Sequence, residues 1–419
     1  MELKKDAALS VPKGYKHTGV GIIPEDWDIY KLGNIVEFLD GKRKPIKSSD
    51  RIKITGKYPY YGASGIIDYV DDFIFDDELI LLGEDGENIL SRNLPLAFRV
   101  KGKIWVNNHA HVLKPKNEVD IDFLTNYLES LDYTLLNSGT AQPKLNKHNC
   151  QNIAITLPTL SEQKAIAEVL GDIDTLINTL KTLIAKKKAL KQGAMQELLT
   201  GKKRLPGFTG EWEMKKLGKM VDFKNGKAHE NSVTTNGAYV LVNSKFISTE
   251  GKVIKFSKDC FCPVFKGEIL MVMSDVPNGK AIAKCFFVDK NEYYTLNQRI
   301  CTLKVKKDNS KFIFYSINRN PYYLTFDDGV KQTNLRKEDV LGCVINIPND
   351  INEQKAIAQI LSDMDTEIEA LKTQLQKIRL LKQGMMQALL TGKTRLPCLT
   401  PEDEHNLPIA AEPEATYGE

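Results

Sequence analysis

The sequence predicts an α/β protein in which two similar α/β modules alternate with two long helices. Three observations predict it. Residues 162–206 and 353–397 align without a gap at an offset of 191, and 29 of their 45 positions are identical; such a duplication fixes architecture ahead of any single residue. Within each copy apolar residues recur at alternating steps of four and three, which is a heptad seam. The segments before and between the copies carry short β-like runs separated by Gly, Asn and Asp.

At 419 residues, 42% hydrophobic and 27% charged, the chain has room for two or three globular domains and lacks the composition of a disordered one. No apolar run approaches the ~18 residues that span a bilayer, and the opening MELKKDAALSVPKGYK lacks the apolar core of a signal peptide. Seven scattered cysteines, an odd number, argue against a disulfide framework and for a reducing cytoplasm. The net charge of +4 is unevenly placed: residues 207–348 hold 22 Lys and Arg against 15 Asp and Glu, which suits a polyanion partner and equally an ordinary surface.

Residues 1–157 form the first module. Trp27 and Lys31-Leu32-Gly33 open it, β-like runs follow at Asp76–Leu82, Leu96–Val100 and Lys103–Val106, and a helix is expected near Ile121–Leu131. The extended stretch Asn152–Leu157 closes it at Pro158. Residues 158–207 form a central spacer helix, with Ser161 as its expected N-cap and Glu162 where the helix dipole favours an acid. Its seam runs through Ile166, Leu170, Ile173, Ile177, Leu180 and Ile184. Gly193 is expected to loosen it, since Gly costs about 1 kcal/mol in a helix interior.

Residues 208–347 repeat the module's frame without its contents. Trp212, Lys216-Leu217-Gly218, Phe223, Gly226 and Lys227 match Trp27, Lys31-Leu32-Gly33, Phe38, Gly41 and Lys42 at an offset of 185. Gly329, Gln332, Leu335 and Lys337 match Gly139, Gln142, Leu145 and Lys147 at an offset of 190. Between these ends identity vanishes, with β-like runs at Tyr239–Val242, Ile269–Met273 and Ile282–Val288 and a helix near Ser310–Asn318. Residues 348–397 form a distal spacer helix, with Asn352 as expected N-cap, Gly384 as a weak point and a seam through Ile357, Leu361, Met364, Ile368, Leu371, Leu375 and Ile378. About 38 helical residues give a rod of roughly 57 Å, longer than the about 34–36 Å of one duplex turn. Residues 398–419, with six acids and neither Lys nor Arg, form an acidic tail expected to be disordered.

These residues resemble the specificity subunits of type I restriction–modification systems. The resemblance rests on Thr18–Trp27, Lys31–Gly33, the LLGEDGEN turn (Leu81–Asn88), the NNHAHVL run (Asn107–Leu113) and the twice-used EQKAIA and LLTGKxRLP. It implies two target recognition domains, each reading one half of a bipartite asymmetric DNA site. It also implies that the two helices pair as an antiparallel coiled coil, set the unread spacer and dock two methyltransferase subunits, with restriction subunits joining those. The second module departs from the pattern, lacking close copies of the LLGEDGEN turn and the His-Ala-His run; its Ser274–Gly279 turn stands where the first is expected.

Catalytic motifs are weak. Asn320-Pro321-Tyr322-Tyr323 lacks the second proline of a methyltransferase tetrad and no glycine-rich cofactor loop precedes it. Glu162-Gln163-Lys164 and Glu353-Gln354-Lys355 imitate the last piece of a nuclease motif, but a helix start explains them. Cys260 with Cys262 and His109 with His111 are single pairs where a structural zinc needs four ligands.

Recognition remains, by side chains that offer paired donors and acceptors to base edges and charges to phosphates. In the first module the candidates are Lys42, Arg43, Lys44, Tyr61, Asn107, Asn108, His109, Gln142, Lys144 and Lys147. In the second they are Lys227, His229, Asn243, Lys245, Asn297, Gln298, Lys331, Gln332, Asn334 and Arg336. The expectation is a non-catalytic, cytoplasmic DNA-binding subunit, with no metal of its own and with S-adenosylmethionine, ATP and Mg held by partner subunits. A methylation-only system or a related restriction class would use the same architecture. A fused methyltransferase or nuclease, and a coiled-coil scaffold without a DNA role, are the rival readings.

Overall fold

The computed structural model describes residues 11–139, 142–277 and 279–396. The acidic tail lies outside the described residues. The chain forms two compact units, each discontinuous in sequence: one runs to Lys181 and resumes at Gln374, the other spans Thr182–Thr373. Each unit therefore takes one half of each long helix.

The first unit is built on a six-stranded sheet. Its strands are β1 (Val36–Phe38), β2 (Thr55–Gly62), β3 (Gly65–Val70), β4 (Phe75–Gly83), β5 (Ala97–Val106) and β6 (Ala110–Pro115), in the order β1-β6-β4-β5-β2-β3. β4 is central and apolar on both faces: Ile80 and Leu82 enter one core cluster, Leu79 and Leu81 another. A continuous apolar run is the signature of a strand covered on both sides. The two runs expected at Leu96–Val100 and Lys103–Val106 are one strand, because Gly102 absorbs a positive φ of 81° without ending it. The helix Ile121–Ser130 covers one face; its start is fixed by Asp120, whose side chain accepts from the N–H groups of Asp122 and Phe123.

The second unit uses the same frame with a break in it. Its strands include β7 (Val221–Asn225), β8 (Tyr239–Val242), β9 (Ile269–Val272), β10 (Cys285–Phe287), β11 (Tyr294–Leu296) and β12 (Ile300–Val305). One sheet has the order β7-β12-β9-β10, matching β1-β6-β4-β5 of the first unit. β8 and β11 pair in parallel within a separate four-stranded sheet, as β2 and β5 pair in parallel in the first unit. The long strand β5 is thus replaced by two short ones, β10 and β11. β9 repeats the two-faced pattern of β4: Ile269 and Met271 enter one core, Leu270 and Val272 the other. The strand expected over Ile282–Val288 shrinks to β10, because the Asp275 carboxylate accepts from the Ala281 and Ile282 N–H groups at 2.6 and 3.0 Å and Ala283 has φ 53°.

The central helix spans Leu160–Leu198 and the distal helix Ile351–Leu389. Their caps differ from the expected Ser161 and Asn352. Thr159 Oγ1 accepts from Glu162 N at 3.4 Å, and Asp350 Oδ1 accepts from Asn352 N at 2.8 Å. Both helices run unbroken through Gly193 and Gly384, where an added Cβ would meet nothing within 4 Å. Pairing is antiparallel in each unit. In the second, Lys187 meets Glu367 at 2.6 Å and Lys191 meets Asp365 at 2.5 Å; in the first, Glu162 meets Arg395 and Asp174 meets Lys382 at 2.6 and 2.7 Å. Partners descend along one helix as they ascend along the other. The seam residues Ile166, Leu170, Ile177, Ile357, Leu361 and Ile368 are buried.

Short strand pairs tie each module shut. Asp28–Lys31 pairs with Ala154–Leu157, and Trp212–Lys216 with Val344–Pro348. This returns each module's end to its beginning, next to a helix start.

Candidate nucleic-acid interface

In the first unit four loops far apart in sequence meet at one end of the sheet's strands. The LLGEDGEN turn lies against the loop holding Gln142 and Lys144: Gly86 N donates to Pro143 O at 3.0 Å, Leu145 N donates to Glu84 O at 2.7 Å, and Asp85 bridges Lys144. Glu84 N donates to His109 O at 2.9 Å, which brings in the Asn107–His109 loop. Lys44 N donates to Val106 O and Asn107 N to Tyr61 O, at 3.3 and 3.1 Å, which brings in the Lys42–Lys44 loop and the end of β2. The loops that carry the first module's candidate residues therefore meet in one cluster.

A charged network beneath that cluster holds it. His111 is 1% exposed, and both of its ring nitrogens face acceptors: Nδ1 lies 2.8 Å from Asp40 Oδ2 and Nε2 lies 2.9 Å from Leu145 O. Burial opposes its charge, yet the Asp40 carboxylate and the neighbouring Cys150 outweigh that and lift its pKa to about 10. Asp40 is likewise held below the usual carboxylate range; burial works against this, and the His111 bond and charge overcome it. Arg43 donates to Glu84 Oε2 at 2.6 Å and to Ala110 O at 2.8 Å, and Lys144 lies 3.4 Å from Glu84 Oε1. His109 lies 2.9 Å from Asp85.

The second unit assembles equivalent loops. Lys227 bridges Asn297, Lys227 N donates to Leu296 O, and Asn297 N donates to Val242 O, each at 3.0 Å for the hydrogen bonds. Gln298 Nε2 donates to Glu230 Oε1 at 3.0 Å. Ser274–Asp275 pairs with Thr333–Asn334, and Leu335 N donates to Met273 O at 2.8 Å, as Leu145 N does to Glu84 O. The Ser274 turn does occupy the place of the LLGEDGEN turn. Gln332 is tied to Ser274 Oγ at 2.7 Å.

Several candidates are taken up in bracing rather than presented. His229 is 1% exposed, with Nδ1 2.7 Å from Lys227 O and Nε2 2.8 Å from Thr295 Oγ1. Asn107 is 4% exposed and accepts from His109 N at 2.8 Å. Asn243 caps the helix Ser244–Ser248 by accepting from Phe246 N. Arg43 spends its guanidinium on Glu84, the Asp40 carbonyl and the Ala110 carbonyl. All four brace the loops through these contacts; His229 and Asn107 are buried, whereas Arg43 and Asn243 are half-buried. Lys42, Lys44, Asn108, His109, Gln142, Lys144, Lys147, Lys227, Lys245, Gln298, Lys331, Gln332, Asn334 and Arg336 are exposed, and Tyr61 and Asn297 are half-buried. Lys147 stands over the Phe38 ring and Lys337 over Phe223, so part of the element shared between the modules is scaffold.

Several residues of the weak catalytic motifs make structural contacts. Glu162 and Glu353 are fully buried. Gln163 accepts from Asp120 N, and Gln354 from Asn309 N, so each fastens a helix start to its own module. Asn320 caps a short helix, and Tyr323 donates to Val340 O from the core. His109 and His111 serve separate acids. Among the described residues no group of three or more His, Cys, Asp or Glu is arranged to hold a metal ion, and no helix is long and apolar enough to cross a membrane.

Comparison with known proteins adds four findings. The family profile described as Type I restriction modification DNA specificity domain matches twice, at residues 24–192 and 209–380. The chain is similar to the type I restriction enzyme MjaVIII specificity subunit of Methanocaldococcus jannaschii, with 27% identity over 410 residues, 89% of this chain and 94% of that protein. A putative type I restriction enzyme specificity subunit of Haemophilus influenzae is 36% identical over 145 residues, 35% of this chain and 37% of its own length. The solved S subunit of a type I restriction-modification system from M. genitalium shares the fold, with a TM-score of 0.59 and 15% identity over 87% of this chain and 96% of that one.

Proposed function

We propose, since this chain belongs to the type I restriction modification DNA specificity family, that it is the non-catalytic, DNA-reading subunit of a cytoplasmic type I restriction–modification complex. Each module reads one half of a bipartite asymmetric site. The paired helices set the unread spacer and dock two methyltransferase subunits, and restriction subunits join those. S-adenosylmethionine, ATP and Mg act on the partner subunits.

One observation carries this reading: the chain builds the same loop cluster twice on nearly identical helices, with different side chains in the loops. Modules meant for one ligand would have kept the loops and let the scaffold drift. The exposed side chains are those suited to phosphates and base edges. The helices also leave large apolar residues in water, among them Leu176 at 41%, Leu190 at 51%, Leu380 at 61% and Leu381 at 53% exposed, as a surface for partner subunits requires.

The test is co-expression with a methyltransferase subunit, followed by mapping of methylated adenines. The expected product is a single two-part site. Replacing residues 15–157 with the equivalent segment of a relative should change one half of it. If both halves changed, the assignment of one module to one half would fail, and methylation without sequence preference would favour a plain scaffold.

A further inference from the structure

A loop of the second unit leaves two aromatic rings exposed. Phe261 is 45% exposed, and Phe265 on the same loop is 51% exposed. Single exposed apolar side chains are ordinary; what sets Phe261 apart is how it is held. Its ring lies against buried His229, with centroids 5.1 Å apart, and His229 is itself fixed at both nitrogens by Lys227 O and Thr295 Oγ1. The next residue, Cys262, donates its N–H to the same Thr295 hydroxyl at 3.3 Å and accepts from Leu296 N at 3.0 Å, while Pro263 bridges Thr295. Lys227 and Asn297 bridge each other at the end of this strand. Phe261 and the reading residues thus hang from one frame around Thr295.

A ring fixed in advance loses little freedom on contact. Lys224 and Lys227 lie beside the thiol of the next residue, Cys262. An exposed ring carried on the same frame as Lys227 and Asn297 suits duplex DNA, where a lysine meets phosphate and the ring meets thymine methyl groups or the face of an opened base step. We propose that Phe261 determines specificity in the second half-site by apolar contact with DNA bases. This rests on the DNA-reading function above.

The test uses the chain assembled with its methyltransferase subunits and duplex probes in which each base pair of the second half-site is varied in turn. Phe261→Ala should cut discrimination about tenfold at one position or two adjacent ones. The first half-site should be read as before, because the ring belongs to the second module, and any fall in the thermal midpoint should be shared by Phe261→Leu only in part. Phe261→Leu should restore part of the discrimination, whereas Lys227→Ala should weaken all probes alike. Deoxyuridine in place of thymidine reproduces the loss if the ring reads the methyl group, and leaves it unchanged if the ring meets a base step. Full discrimination by Phe261→Ala in a complex whose wild type is selective would overturn the proposal. So would loss of methyltransferase subunits from the Phe261→Ala complex, which would make the ring a protein contact. A wild-type complex with no sequence preference would instead overturn the DNA-reading function.

Discussion

Arg395 grips Glu162 with two hydrogen bonds, Nε to Oε1 at 2.6 Å and Nη2 to Oε2 at 2.8 Å, across 233 residues of chain. Arg204 repeats the grip on Glu353 at the same two distances. Each carboxylate begins one long helix, and each guanidinium follows the end of the other. The duplicated motif therefore closes each unit with the helix end it did not begin. The carboxylates are fully buried, so removing the arginine leaves an uncompensated charge. Arg395→Ala should cost about 3–5 kcal/mol, and Arg395→Lys should recover only part of it, since an ammonium lacks the planar fork. Urea titration of the purified chain measures this; an unchanged midpoint for Arg395→Ala would rule the clasp out as a stabilising contact.

The two clasps are not equal. Trp27 Nε1 donates to Glu162 Oε2 at 3.1 Å, whereas Trp212 Nε1 is buried with no hydrogen-bond partner among the described residues. Trp27→Phe forfeits a bond to a charged acceptor, worth about 1.5–3 kcal/mol. Trp212→Phe removes only an unmatched donor along with some ring area. The first substitution should be clearly the more costly in paired denaturation curves, and equal costs would mean that Trp27 contributes by packing alone.

Much of this was legible along the chain. The heptad steps located both helices, and apolar runs located β4 and β9, because these are local periodicities. The caps were misplaced by two residues, since Thr159 and Asp350 act as soon as the chain leaves a strand. The loops that carry the site were legible as polar clusters. Which members point inward was not: His229 is buried by a hydroxyl 66 residues away, and Arg43 is held by Glu84. The acid at Glu162 was read through the helix dipole, while its partner Arg395 could be found only in three dimensions.

Stability should depend on pH through His111 and Asp40. The folded pKa of His111, about 10, lies above its ordinary 6.5, so its stabilisation is complete below about 6.5 and is lost as pH rises through 10. Asp40 is depressed from 3.8, so its stabilisation is present above that value and lost as pH falls through the lower one. The pair therefore contributes fully across the mildly acidic range and weakens on both sides. His111→Gln should lower stability most at acidic to neutral pH and flatten the decline between pH 7 and 10. Denaturant midpoints across that range provide the check; parallel curves for variant and wild type would show that the imidazole carries no charge in the fold.

Lys44 and Arg43 are adjacent, yet they should fail differently. Lys44 is exposed, while Arg43 is bound to Glu84 and to two backbone carbonyls. Lys44→Ala should leave the denaturation midpoint in place and weaken binding to all DNA sequences alike. The slope of log affinity against log salt should fall by about 0.9 for one lost phosphate contact. Arg43→Ala should strip Glu84 of its main partner and lower stability by about 3 kcal/mol or more. It should also loosen the first half-site while the salt slope changes little. Binding isotherms at several salt concentrations, set beside melting curves, separate the two. A reduced slope for Arg43→Ala with unaltered melting would place that guanidinium on a phosphate after all.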